Sequence, residues 1–141
     1  MAESTKSSSA FTEKEREAMK ERAREAREFK KLSGEEQVRR KIAEMGTEDQ
    51  GLANAIHSVV MSISPDITTK TWYGMPAYYV NGSVVCFFQA ASKFDSRYST
   101  LGFQDAARLD DGVFWPTSYA ITEMNESVAE RIKVLVERAI S

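Results

Sequence analysis

The chain has 141 residues, 42% of them apolar and 28% charged, and a formal net charge of −2. A chain of that length buries about two thirds of its unfolded surface in one core, and a nearly neutral balance gives nucleic acid and anionic membranes no electrostatic hold. The longest apolar run, VVCFF at 84–88, falls far short of the roughly 20 residues that span a bilayer.

Cys86 is the only cysteine, so a disulfide within the chain is excluded, which fits a reducing compartment. The opening MAESTKSSSA lacks the apolar block of a secretory signal, and a cytoplasmic location is expected. Those ten residues are small and polar, with too little apolar surface to offset the entropy of ordering, so residues 1–10 are expected to form a disordered tail.

From 11 to 32 the chain is rich in helix formers, with acids and bases interleaved at spacings of three and four. Met19, Ala23, Ala26 and Phe29 form only a narrow apolar stripe, so this segment reads as a charged, solvated helix; an arm for nucleic acid or a partner is the alternative, disfavoured because the signs alternate instead of forming a basic face. Residues 33–141 read as a single domain. Ser33 with Glu36 has the form of a capping box, and Val38, Ile42 and Met45 line one helix face up to Gly46, expected as its C-cap. Thr47 and Gln50 open the next helix, whose stripe of Leu52, Ile56, Val59, Val60 and Ile63 stops before Pro65.

Beyond Pro65 the apolar period changes to two. In TWYGMPAYYVNGSVVCFF (71–88), Asn81-Gly82 marks a type I′ hairpin, because both residues tolerate positive φ. With those two at the turn, Val80 pairs with Ser83, Tyr79 with Val84, Tyr78 with Val85, Ala77 with Cys86, Pro76 with Phe87 and Met75 with Phe88. One face then carries Met75, Ala77, Tyr79, Val84, Cys86 and Phe88. The other carries Trp72, Pro76, Tyr78, Val80, Val85 and Phe87. Both are apolar, so each needs a cover. Further strands are expected at 97–103 and 117–121, joined by a short helical turn and loop. Val128, Ile132, Leu135, Val136 and Ala139 then mark a C-terminal helix that packs on the sheet. The fold class is α+β: N-terminal helices, an antiparallel sheet of about four to five strands around a central hairpin, and a final helix.

Chemistry is harder to find. His57, the only histidine, sits at the margin of an apolar stripe, and Cys86 lies inside an apolar strand where a thiol acts as a small hydrophobe. No phosphate loop, nucleophile elbow or dinucleotide fingerprint occurs, so no catalytic residue is assigned and a binding role is favoured over an enzymatic one. A hard cation would need carboxylates. Asp105, Asp110 and Asp111 are the metal candidates; Glu123, Glu126, Glu48 and Asp49 also lie near element ends, where turn and helix-dipole chemistry explains them equally well. An aromatic ligand groove is expected around Trp72, Met75, Pro76, Tyr78 and Phe87, with Trp115 beside it and Lys93 and Arg97 as cationic ends for an anionic ligand.

The stretches TWYGMPAYYVNGSVVCFF, KFDSRYSTLGF and LDDGVFWPTSYAITEM resemble the YdhG-like family of small bacterial proteins over residues 35 to 140. The resemblance implies an α+β fold with an antiparallel sheet and, for one branch, a frataxin-like role in delivering iron, the one cofactor it brings in. Three functions are therefore set side by side: a binding domain for a small molecule or protein, an intracellular iron chaperone, and an enzyme without a recognisable motif. Neither nucleic acid nor a membrane is expected as partner, and a homodimer is a further way to cover the second sheet face.

Overall fold

The computed structural model describes residues 12–141; the expected tail at 1–10 lies outside the described residues. The chain separates at Leu32/Ser33 into two compact units. The first holds helix α1 (Glu13–Lys31), capped by Thr12, whose hydroxyl accepts a hydrogen bond from the Glu15 amide at 3.1 Å. None of its residues is buried, as its sparse apolar stripe requires.

The second unit begins with α2 (Gly34–Ala43) and α3 (Thr47–Met61). Ser33 caps α2, accepting from the Glu36 amide at 3.2 Å, the bond its spacing forecasts. Gly46 departs from its expected role. Its φ is −65, so it is not a left-handed C-cap; it stands as the N-cap of α3, with no side-chain cap bond. Gln50 closes the corner instead, its Nε2 donating to the carbonyls of Ala43 and Met45 at 3.1 and 3.2 Å.

Five strands follow: β1 (Thr68–Trp72), β2 (Met75–Val80), β3 (Ser83–Gln89), β4 (Ser99–Phe103) and β5 (Ser118–Ile121). A 3-10 turn (Ala91–Phe94) links β3 to β4. The strands form one antiparallel sheet in the order β1-β2-β3-β4-β5. Helix α4 (Glu126–Ile140) closes the fold, capped by Asn125, which accepts from the Val128 amide at 2.9 Å. Between β4 and β5 the expected helical turn is a plain turn and loop. The architecture is α+β.

The hairpin turns at Asn81 (φ 51) and Gly82 (φ 80), but the expected register holds for only two pairs. Val80 faces Ser83 and Tyr79 faces Val84; the ladder then slips by one, so Tyr78 faces Cys86 and Ala77 faces Phe87. The extra residue is Val85, a β-bulge. It turns inward beside Cys86, and both line a small void with Val60 and Val136. Either register buries apolar side chains, which is why alternation alone could not separate them.

The slip redistributes both expected faces. Tyr78, Val85, Cys86, Phe88 and Leu101 belong to one core with Val38 and Ile42 of α2, Ile56 and Val60 of α3, and Ile132 and Val136 of α4. Trp72, Met75, Tyr79 and Phe87 are half-buried outside that core on the second face, where Ala77 between them is fully buried. On this second face one row crosses the whole sheet, Lys70, Ala77, Phe87, Gly102 and Ser118. Gly102 lets the Phe87 ring lie flat, since a Cβ there would come within 2.3 Å of it.

Candidate functional site

A second tight turn, Tyr73-Gly74, joins β1 to β2, with φ of 50 and 76. Glycine takes that conformation freely, whereas a bulky residue there costs of order 1 kcal/mol. Tyr73 nevertheless holds its ring 80% exposed, its edge against Trp72 at 4.9 Å between centroids. The Trp72 ring lies 5.2 Å from Phe87, and Trp72 pairs with Met75 across the turn.

Met75 and Pro76 lead from this aromatic group into a cleft of about 320 Å³. Its far wall is the α2–α3 corner, with Lys41, Glu44, Met45 and Gly46; its floor is Phe88 and Ala90; its rim is Ser92 and Lys93 of the 3-10 turn. Asp49 in the first turn of α3 anchors that rim, accepting from the Ser92 hydroxyl and, at 3.3 Å, from its amide. The cleft is thus apolar below and charged above. Lys41 pairs with Glu44 at 3.6 Å. Among the described residues no carboxylate lies within ion-pair distance of Lys93, whose ammonium rests 5.8 Å from the Phe94 ring centre and beside Gly74.

The expected groove is therefore divided. Trp72, Met75, Phe87 and Lys93 gather around the β1–β2 turn, whereas Pro76 is fully buried behind the cleft wall. Tyr78 does not join them: it is 1% exposed in the core, because its side of β2 is the one the helices cover, and the bulge puts Phe87 on the opposite face with Ala77. Arg97 stacks on the Tyr98 ring at 5.2 Å, and Trp115 packs half-buried against the main core. Asp105, Asp110 and Asp111 are all exposed. Among the described residues no group of three or more His, Cys, Asp or Glu side chains is placed to hold a metal ion.

Sequence reasoning missed the surroundings of His57. Its Nε2 lies 2.8 Å from a Glu35 carboxylate oxygen and its Nδ1 2.9 Å from the Tyr78 hydroxyl. A carboxylate only accepts, so Nε2–H donates to Glu35, and Nδ1 shares the other hydrogen bond with the Tyr78 hydroxyl. This chain ties α2, α3 and β2 together at partners 21 and 22 residues from His57, a separation no local pattern reveals. Burial, and then the negative charges of ionised Cys86 and of Glu35, raise the Tyr78 phenol well above its ordinary pKa. Burial also pushes the Cys86 thiol up to about 12, so it is protonated and inert at neutral pH.

Fold and site together define a one-sided α+β domain with a five-stranded antiparallel meander and a ligand-sized cleft at one end of the sheet. No protein-family model, curated protein or solved structure matches the chain. No helix among the described residues is long and apolar enough to cross a membrane.

Proposed function

We propose that the domain is a non-enzymatic binding module whose ligand, a small molecule with an apolar body and an anionic end, lodges in the cleft between the β1–β2 turn and the α2–α3 corner. The observation that carries this is the meeting of Met45, Met75 and Lys93 on one cavity of about 320 Å³, within the size range of small-molecule sites. Met45 and Met75 supply an adaptable apolar lining over the buried Phe88, since thioethers fill irregular space well. Lys93 supplies a cation not already taken by a carboxylate among the described residues, which favours a carboxylate or phosphate at the mouth.

Trp72 adjoins the cleft through Met75 and reports occupancy. Titration with a panel of aryl and alkyl carboxylates should change tryptophan emission saturably, and Lys93→Glu should weaken binding at least tenfold, the worth of one charge-assisted hydrogen bond. A panel that leaves emission unchanged at millimolar concentration, or a Lys93→Glu variant that binds as well as the parent, would refute the proposal.

A further inference from the structure

We infer that the exposed face of α4 is a contact surface for a second copy of this chain, the two helices packing antiparallel about a two-fold axis at Val134. Helix α4 buries Ile132, Val136 and Ala139. At 100° per residue the opposite side is centred on Val134, which is 54% exposed. A valine is a poor helix former, and about half of this one stays open to solvent.

The charges around it supply the partner. In an antiparallel pair with its axis at Val134, each residue n positions before 134 meets the residue n positions after it in the other copy. Glu130 then meets Arg138, and Arg131 meets Glu137, each pair occurring twice by symmetry. Within the chain none of these four has an ion-pair partner among the described residues; Arg138 donates only to the Asp110 carbonyl, at 3.3 Å. A parallel alignment would set Glu130 against Glu130 and Arg131 against Arg131, so the pattern selects one orientation.

The shape agrees. Tyr119, Arg131 and Leu135 border two hollows along the seam between β5 and α4, of about 300 and 490 Å³, so this surface is indented. The same axis places the aliphatic stem of the second copy's Lys133 opposite Leu135, where it covers apolar surface while its ammonium stays in water. A contact built on one helix of 15 residues, about 22 Å long, buries less than the roughly 1,600 Å² of a standard interface. The dimer is accordingly weak and sensitive to salt.

Sedimentation of the full chain over a concentration series reaching about 1 mM tests this. Expected are a monomer–dimer equilibrium that shifts toward monomer at high salt, and its loss in Val134→Lys. Arg138→Glu should weaken association about tenfold, and adding Glu130→Arg to it should restore association, because the exchanged pair is again opposite in sign. All these side chains face solvent, and circular dichroism confirms that the variants fold. A chain that stays monomeric throughout, a dimer that survives Val134→Lys and Arg138→Glu, or a double exchange that fails to rescue would each overturn the inference.

Discussion

Tyr73 concentrates the balance between stability and recognition in one residue. Its left-handed backbone costs of order 1 kcal/mol that Asn or Gly would not incur, and its exposed ring recovers only an edge contact with Trp72. Tyr73→Asn should therefore raise the unfolding free energy by about 0.5–1 kcal/mol in urea titration; a loss of stability would mean that the ring contact outweighs the strain. Tyr78 and Cys86 make the opposite kind of prediction. Both have folded-state pKa values above their unfolded ones, so the folded state holds their protons more tightly. Their contribution is fully present below the unfolded values, near 9 for the thiol and 10 for the phenol, and is lost as pH rises through the folded ones. Urea midpoints should hold level through neutral pH and fall above about pH 9, with Cys86→Ala removing the earlier part of the fall. A profile that stays flat through pH 11 would contradict it.

At the scale of elements, two glycines set how closely layers approach. A Cβ on Gly34 would stand 2.0 Å from the Thr69 carbonyl oxygen, backbone that cannot swing aside, so Gly34→Ala should cost about 3 kcal/mol by forcing α2 off β1. The same substitution at Gly102 meets only the Phe87 ring, which can tilt toward solvent. It should cost less and alter the environment of Trp72. Calorimetry on both variants separates backbone from side-chain crowding; equal losses would contradict the distinction. The elements differ in how plainly the residues announce them. Ser33, Asn125 and the 3.6-residue stripes mark the helices because capping and amphipathicity are local, and Asn81-Gly82 marks the hairpin because few residues accept its φ values. The bulge at Val85 leaves no such mark, since Val84 through Phe88 are apolar in either register. Nor does the turn at Tyr73, a residue type that I′ turns disfavour. The site was legible to the same extent: Met75 and Lys93 do converge, Pro76 and Tyr78 are buried because which side of β2 the helices cover has no local mark, and the His57 chain depends on tertiary contact alone.

For the whole molecule, the core and the cleft both belong to residues 33–141. Helix α1 belongs to the other unit and has no buried residue. A chain starting at Ser33 should keep its melting temperature within a few degrees and keep the ligand response of Trp72; collapse of either would assign α1 a part in the domain. The cleft itself is tested most directly by the methionine methyl groups. Met45 and Met75 stand on opposite walls of it, whereas Met19 lies on α1 and Met124 packs against the core elsewhere. In a methyl-labelled sample titrated with an aryl carboxylate, the Met45 and Met75 resonances should move together and saturate while those of Met19 and Met124 stay fixed. Resonances at 45 and 75 that remain still, or movement confined to Met124, would contradict binding between the β1–β2 turn and the α2–α3 corner.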